Sequence, residues 1–254
     1  MHSLFHPHEA EPALAVEPVP NVFPTIEGAG LAAAYAGQPF AGDFYDSIRV
    51  SPERVLFGLL DVAGRREENR AILAAAQKIF RELGTELFAR PDMNESDAVS
   101  ELCLRINRGI IDASSGVRSC PAFLACYHEK FGTLCYTNAG HTPGLVRDAS
   151  GVSELSSTGL PMGLFSHATC DAPTVGIESG AALLLVSRGV IEWGKAHDKE
   201  ADEFGLERVQ QILKTAPSGT AEELCATVLK AVGEHSSDSH LMNDRTAIAL
   251  VRKA

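Results

Sequence analysis

The sequence has no cluster of lysine and arginine, no long apolar run and no C-x-x-C motif. With a formal net charge of −11, it is poorly suited to bind nucleic acid or an anionic membrane surface. The longest apolar runs, such as Ala181–Val186, are far too short to span a bilayer. No signal peptide is visible, because the first 20 residues are rich in His, Glu and Pro. We therefore expect neither a nucleic acid nor a membrane as partner.

The six cysteines form no dense framework of the kind seen in disulfide-rich secreted domains. Cysteines spaced in this way usually serve as small core residues in a reducing compartment. The pattern predicts a reduced, cytoplasmic protein with buried thiols.

The 254 residues suit one large domain or two small ones, and no internal repeat divides them. Residues 1–25 combine His, Pro, Glu and Ala, which predicts a mobile N-terminal tail. We expect residues 26–254 to form a single domain.

Apolar periodicity predicts strands, two helices, strands, two helices and a last strand. This order does not alternate as βαβ units do, so it favours mainly antiparallel sheets with helices outside them. Capping-box spacing is seen at Asn94 with Asp97 and at Thr220 with Glu223. The predicted strands are Leu31–Tyr35, Asp43–Val50, Val55–Val62, Ala122–Tyr127, Thr133–Thr137, Gly144–Arg147, Ala181–Ser187 and Thr246–Val251, and the predicted helices are Glu67–Arg90, Ser96–Ser114, Leu206–Thr215 and Ala221–Gly233.

Two aspartates, Asp43 and Asp61, stand at the ends of neighbouring predicted strands. If these strands pair, both carboxylates meet at one end of the sheet. Two acidic groups held close are costly unless a cation lies between them or one binds a proton. The pattern indicates a divalent-metal site, and the alternative is a pair of turn-forming aspartates.

Several motifs in order resemble the PPM-type metal-dependent protein phosphatases, in their stage II sporulation protein E-like branch. The resemblance runs from about Val22 to Arg252, and it rests on the motifs Gly42-Asp43-Phe-Tyr-Asp46, Asp61-Val-Ala-Gly64, Asn138-Ala-Gly-His141-Thr-Pro143, Gly159-Leu-Pro-Met-Gly163, Gly189-Val190 and Asp244-Arg-Thr246. It implies an α+β fold, a four-layer α-β-β-α sandwich of two mainly antiparallel sheets flanked by helix pairs. It also implies two Mg²⁺ or Mn²⁺ ions and a water that attacks the phosphorus of phosphoserine or phosphothreonine.

The resemblance assigns roles to three residues at one end of the sheet. Asp61 matches the aspartate that bridges both metals, and the carbonyl of Val62 matches a backbone ligand beside it. Asp43 matches the acidic residue that serves one metal, partly through water. Asp43 and Asp61 are accordingly the expected catalytic residues.

The sequence departs from the family pattern at three positions, and the first two departures weaken one of the two metal sites. Arg188 stands where an aspartate follows the central strand, and Asn243 stands where the usual aspartate ligand precedes the last strand. Asparagine still offers a neutral oxygen to a metal, whereas arginine only donates hydrogen bonds. Arg65 replaces a usual histidine, and Arg65 with Arg66 either binds a phosphate or is solvated.

His141 lies at a predicted strand–turn–strand junction, where it either hydrogen-bonds the backbone or takes part in catalysis. Three functions stay open at this point. The first is a weakened phosphatase that acts on a phosphorylated regulatory protein of the anti-sigma-factor antagonist type. The second is an inactive pseudophosphatase that binds a partner protein. The third is a hydrolase of small phosphorylated molecules, for which the sequence gives no positive evidence. We expect regulation through a separate partner or a homodimer.

Overall fold

The computed structural model describes residues 21–37, 42–62, 66–90, 92–114, 116–192, 203–235 and 244–254, with the backbone alone for residues 66–68. These residues form the strands β1 (Ala29–Ala36), β2 (Asp43–Ser51), β3 (Arg54–Asp61), β4 (Ala122–His128), β5 (Thr133–Ala139), β6 (Gly144–Asp148), β7 (Gly151–Leu155), β8 (Thr174–Gly176), β9 (Ala182–Val186) and β10 (Arg245–Arg252). They also form the helices α1 (Arg66–Phe88), α2 (Glu95–Ala113), α3 (Arg188–Ile191), α4 (Gly205–Thr215) and α5 (Ala221–His235).

The strands form two five-stranded sheets in which every pair of neighbours is antiparallel. One sheet has the order β1-β10-β9-β6-β7, and the other has the order β2-β3-β4-β5-β8. The second sheet begins with the β2–β3 hairpin, whose turn is at Pro52 and Glu53. Together with the helices, this arrangement confirms the predicted α+β class.

The central strands are apolar on both faces because each face packs against another layer. In β3, the alternating residues Val55, Phe57 and Leu59 point between the sheets, whereas Leu56 and Leu60 face helices α1 and α2. A period of two places successive side chains on opposite faces of a sheet. In the sequence, such a strand is therefore a continuous run of apolar residues.

The helices cover the two outer faces and complete the four predicted layers. Helices α1 and α2 bury their apolar sides against the β2–β8 sheet, and α4 and α5 bury theirs against the β1–β7 sheet. The Asn94 side chain accepts hydrogen bonds from the backbone N–H groups of Ser96 and Asp97, which starts α2. Thr220 and Glu223 bond each other's backbone N–H groups, as a capping box requires.

Three short elements were not predicted: β7, β8 and α3. The three residues of β8 and the four of α3 are too few to show a period. The residues of β7 pair with β6, but Leu155 alone among them is buried, so they lack an apolar signal. Strands β7 and β8 exist because β6 and β5 supply their hydrogen bonds.

The chain before β1 contacts the sheet from residue 21 onward. Ser47 donates to the Asn21 side chain at 3.0 Å, and Phe23 stacks on Tyr45 with ring centroids 6.1 Å apart. Residues 1–20 of the predicted tail lie outside the described residues. The predicted domain boundary at residue 26 stays a prediction.

All six cysteines are buried and carry free thiols, which confirms their predicted place in the core. No helix within the described part of the chain combines the length and the apolar character that crossing a membrane requires.

An ion pair between a half-buried arginine and a buried aspartate joins α1 to β2. The Asp46 carboxylate, 3% exposed, accepts from Arg81 Nε at 2.7 Å and from Arg81 Nη2 at 2.9 Å. It also accepts from Gln77 Nε2 at 3.0 Å and from the backbone N–H of Ser47 at 2.8 Å. Four donors therefore hold the carboxylate and fix the position of α1 over the sheet.

We predict that Arg81→Met destabilises the fold by about 2–3 kcal/mol, because it leaves the buried Asp46 carboxylate without its charged partner. Denaturant unfolding followed by circular dichroism measures this change. The matched control is Arg105→Met, which removes an exposed pair with Glu101 at 2.7 Å on α2. The control should change stability by less than about 1 kcal/mol. Equal effects of the two substitutions would contradict the role of Asp46.

Candidate functional site

Asp43 and Asp61 meet at one end of the β2–β3 pair. Asp43 is the first residue of β2 and lies directly opposite Asp61, the last residue of β3. Each aspartate is 7% exposed. The backbone N–H of Asp61 donates to the Pro121 carbonyl at 2.9 Å, so the strand end is held on both sides. The structure therefore brings together the two carboxylates that the sequence singles out.

The last strand of the chain supplies hydrogen bonds to Asp43. Thr246 donates its hydroxyl to Asp43 Oδ2 at 2.8 Å, and the Ser187 side chain also bonds this carboxylate. Burial and, next, the charge of Asp61 raise the pKa of Asp43 to about 8, against the lowering effect of the two hydroxyls. Neutral donors position this carboxylate but do not cancel its charge.

Arg188 is the cationic residue beside Asp61. Its Nε lies 3.8 Å from Asp61 Oδ2, and its side chain is 48% exposed. The backbone N–H of Arg188 also donates to the Asp61 carboxylate. Burial raises the pKa of Asp61, while the charge and the N–H of Arg188 lower it. This distance is close to the upper limit for an ion pair, and about half of the Arg188 side chain is exposed to solvent.

Val62 directly follows Asp61, and hydrogen bonds hold both its N–H and its carbonyl. The backbone N–H of Val62 donates to the Gly42 carbonyl at 3.0 Å, and Asn69 Nδ2 donates to the Val62 carbonyl at 3.1 Å. A Cβ at position 42 would lie only 2.9 Å from the Val62 oxygen, so glycine permits this approach. A carbonyl oxygen has two lone pairs, and one stays available for a second partner.

Asp244 is a third buried acidic residue at the site, and the sequence analysis gave it no role. Its Oδ2 accepts from the backbone N–H of Asp43 at 3.4 Å. The Tyr35 hydroxyl is hydrogen-bonded to Asp244, and burial together with this bond raises the pKa of Tyr35. The signal was present, since Asp244 immediately precedes an apolar strand much as Asp61 ends one.

Three other predicted site residues are wholly or partly outside the described part of the chain. Arg65 and Asn243 lie outside the described residues, and Arg66 begins α1 but its side chain is not among the described ones.

His141 is buried and bonds its own neighbour. Its Nδ1 lies 3.1 Å from the Thr142 carbonyl and 3.0 Å from the Thr142 hydroxyl oxygen. Burial lowers its pKa to about 4, so the ring is neutral at physiological pH. This geometry matches the backbone-bonding alternative for His141.

The candidate metal ligands at this site are oxygen atoms, which Mg²⁺ and Mn²⁺ prefer. Among the described residues, no group of three or more His, Cys, Asp or Glu side chains is arranged to hold a metal ion. The pair of Asp43 and Asp61 with the Val62 carbonyl is a smaller set. Its chemistry suits one hard cation that keeps several waters.

The chain is similar to a known protein family and to known phosphatases. Residues 51–253 match the family model described as stage II sporulation protein E (SpoIIE). The phosphoserine phosphatase RsbP of Bacillus subtilis (strain 168) is 22% identical over 217 residues, which are 85% of this chain and 50% of RsbP. The chain thus spans about half the length of this curated relative.

Solved structures show the same fold at low identity. The RsbU and RsbW domains of Rv1364c from Mycobacterium tuberculosis align with a TM-score of 0.70 at 21% identity, over 91% of this chain and 62% of that one. RsbX in complex with magnesium aligns with a TM-score of 0.61 at 14% identity, over 90% of this chain and 97% of that one. The family match covers most of the chain, so the protein belongs to the stage II sporulation protein E (SpoIIE) family and has the fold of PPM-type phosphatases, as the sequence predicted.

Proposed function

We propose that this chain is a metal-dependent phosphoserine/phosphothreonine phosphatase domain of bacterial signalling that works with one well-formed cation site. The observation that carries the proposal is the pair of buried carboxylates, Asp43 and Asp61, facing each other across adjacent strand ends. A rigid sheet that buries two acidic groups together is costly without a neutralising partner.

A divalent cation is the partner that fits this pair best. Burial and, next, the charge of Asp61 raise the pKa of Asp43 to about 8, and the lowering effect of its hydroxyl donors does not offset them. Thr246 and Ser187 fix its orientation, and the Val62 carbonyl adds a third oxygen. A bound cation supplies a Lewis acid that offsets charge on the phosphoryl oxygens and activates water near neutral pH.

The residues of this chain would divide the remaining work. Asp43 and Asp61 hold the cation, and Asp244 aligns the backbone of Asp43. Arg65 and Arg66 are the proposed phosphate-binding residues, since a guanidinium matches phosphate oxygens bidentately. Asn243 is the proposed neutral ligand that follows from the family pattern.

The second cation of the family pattern fits poorly. Arg188 stands 3.8 Å from Asp61 with a positive charge, so it repels a further cation on that side. We therefore propose weakened activity that depends on one ion.

A second candidate function rests on the same arginine. The Arg188 guanidinium already partners Asp61 and takes the place of a lost cation in this second candidate. The chain would then be a pseudophosphatase that binds a regulatory protein without hydrolysis.

The proposed substrate is a phosphorylated regulatory protein, of the anti-sigma-factor antagonist type. The name of RsbP, a phosphoserine phosphatase, supports phosphoserine as the group that is hydrolysed. The cytoplasmic location and the homodimer stay predictions.

We predict Mn²⁺-dependent hydrolysis of a phosphoserine peptide by the purified chain. Asp61→Asn should lower kcat by about 10²–10³, the usual loss when one charge-stabilising group at a reacting centre is removed. The matched control is Asp92→Asn, which changes an exposed aspartate that is not part of the site. Turnover in EDTA without added Mn²⁺ or Mg²⁺, or equal turnover by Asp61→Asn, would refute the proposal. A folded wild type without turnover would favour the pseudophosphatase.

We predict that Arg188→Asp binds Mn²⁺ about tenfold more tightly than the wild type, which corresponds to about 1.4 kcal/mol. The substitution removes the competing charge and adds a carboxylate beside Asp61. Arg188→Met removes the charge alone and should give a smaller gain. Isothermal titration calorimetry measures both affinities. Unchanged affinity in both variants would show that Arg188 does not oppose the cation.

We predict that the metal-free protein loses stability as the pH rises from about 4 to about 8. Within this window the folded state keeps a proton on Asp43, whose pKa is about 8, while the unfolded chain, with an ordinary pKa, has lost it. Each unit of difference between the two pKa values is worth about 1.4 kcal/mol. Thermal unfolding in EDTA across this range measures the slope.

Asp43→Asn should flatten this slope and stabilise the metal-free protein at the alkaline end, whereas Asp92→Asn should leave the slope unchanged. Mn²⁺ should restore stability to the wild type at pH 8, because it binds the folded state. A wild-type slope that Asp43→Asn does not change would contradict the assignment.

A further inference from the structure

A buried asparagine holds the turn between β5 and β6 in one conformation. The Asn138 side chain is fully buried, and its Oδ1 accepts from the backbone N–H of His141 at 2.8 Å. Its Nδ2 donates to the Thr142 carbonyl at 3.3 Å and to the Leu155 carbonyl at 3.2 Å. Gly140, with a φ of +69°, permits the tight backbone turn between them. The turn therefore presents His141 and Thr142 in a fixed arrangement.

The hydrogen bonds of Thr142 determine which ring nitrogen of His141 carries the hydrogen. The Thr142 hydroxyl donates to the Val186 carbonyl. A hydroxyl has one hydrogen and a carbonyl only accepts, so this hydrogen lies between Thr142 and Val186. His141 Nδ1 lies 3.0 Å from the same hydroxyl oxygen and 3.1 Å from the Thr142 carbonyl oxygen. Because both oxygens are left to accept, we assign the ring to the Nδ1–H tautomer.

The second ring nitrogen of His141 adds no hydrogen bond. The residue is 6% exposed, and within the described part of the chain its Nε2 has no hydrogen-bond partner. In the neutral Nδ1–H tautomer this nitrogen is an acceptor. A buried acceptor without a partner is unfavourable, and an apolar side chain at this position would avoid that cost. The Nδ1–H group is therefore the polar contribution of His141 to the structure.

Thr142 contacts β9 beyond the point where the backbone pairing of β6 with β9 ends. That pairing ends with Leu145 opposite Leu184. The same register places Pro143 opposite Val186, and proline has no N–H group to continue the ladder. The Thr142 hydroxyl supplies a donor to the Val186 carbonyl instead. A side chain of the β5–β6 turn thus holds the last residue of β9.

The two residues that follow β9 are connected to the acidic pair. Ser187 donates its backbone N–H to the Thr246 carbonyl at 3.0 Å, and its Oγ accepts from the Thr246 N–H at 3.0 Å. The Thr246 hydroxyl donates to Asp43 Oδ2 at 2.8 Å. Arg188 comes next, with its Nε 3.8 Å from Asp61 Oδ2. The position of the β9 end therefore affects the surroundings of both carboxylates.

We propose that His141 and Thr142 are positioning residues for the cation site, an inference that rests on the proposed function. The His141 Nδ1–H group bonds the Thr142 hydroxyl oxygen and so directs the hydroxyl hydrogen to the Val186 carbonyl. This bond holds the end of β9, and with it the residues beside the two carboxylates. In this role neither residue touches the cation or the substrate.

The first test is the tautomer of His141 in the full chain without metal. Long-range proton–nitrogen NMR correlations near neutral pH distinguish a protonated ring nitrogen from an unprotonated one, and His141→Asn identifies the signals by their loss. We expect Nδ1 to be protonated and Nε2 to be unprotonated. A ring that carries its hydrogen on Nε2, or a hydrogen on both nitrogens, would overturn the proposal.

Thr142→Val removes the hydroxyl and keeps the branched shape of the side chain. We expect faster amide hydrogen exchange at Ser187 and unchanged exchange at Leu184 in the middle of β9, because only the strand end loses a bond. Isothermal titration calorimetry should show Mn²⁺ binding weakened by about tenfold, the lower end of the usual loss when a group that orients metal ligands is removed.

Two variants serve as controls for the hydroxyl. Thr142→Ser keeps the donor and should restore both the exchange at Ser187 and the Mn²⁺ affinity. Thr227→Val removes an exposed hydroxyl that donates to the Glu223 carbonyl at 2.8 Å on α5, and it should behave as the wild type.

A pair of substitutions at His141 separates its N–H group from its ring. The side-chain nitrogen of asparagine is bonded to Cγ, as Nδ1 of histidine is, so His141→Asn offers an N–H at nearly the same place. We expect Mn²⁺ affinity to fall by about tenfold in His141→Ala and by much less in His141→Asn. Equal losses would show that the packing of the ring matters and not its N–H, which would overturn the proposal.

The outcomes for Thr142→Val also decide the matter. Unchanged exchange at Ser187 in the folded variant contradicts the proposal, and so does faster exchange without a change in Mn²⁺ affinity. If the wild type binds no Mn²⁺, the proposed function fails, whereas the tautomer and the exchange at Ser187 still decide whether His141 and Thr142 hold the end of β9. The NMR measurement on the wild type applies even where a variant fails to fold.

Discussion

The pairing register of β2 with β3 is the constraint on which the candidate site depends. Only in this register does Asp43, at the start of one strand, lie opposite Asp61, at the end of the other. A slip of one residue would turn every side chain of the strand to the opposite face of the sheet. The register is fixed because β3 is buried on both sides, against the second sheet and against α1 and α2. The stability of the sandwich thus maintains the acidic pair.

The charge of the side chains at this end of the sheets distinguishes the two candidate functions, the phosphatase and the pseudophosphatase. Asp43, Asp61 and Asp244 bring three acidic side chains into a buried region, and Arg188 approaches from its edge. A half-exposed guanidinium at 3.8 Å offsets only part of that charge. The remaining charge favours a small hard cation. Hydroxyl groups, as on Thr246, orient the carboxylates for either outcome without changing the total charge.

Membership of the SpoIIE family establishes the architecture, and the ligand positions of this chain decide how much of the chemistry it keeps. Arg188 begins α3, with one residue between it and the end of β9, and its backbone N–H donates to the Asp61 carboxylate. The end of β9 thus brings a cationic side chain to the acidic pair.

The sequence by itself determined the mainly antiparallel sheets with helices outside them, the helix caps at Asn94 and Thr220, and the two aspartates at adjacent strand ends, because these depend on local periodicity and local hydrogen bonds. The four layers followed from the family resemblance. The tertiary structure alone decided the surroundings of those aspartates. Thr246 reaches Asp43 across 203 residues of chain, and Asp244 reaches it across 201. Such contacts arise from the packing of one sheet on the other, for which no local pattern exists. Short elements such as β8 and α3 also needed their neighbours, since so few residues carry no period of their own.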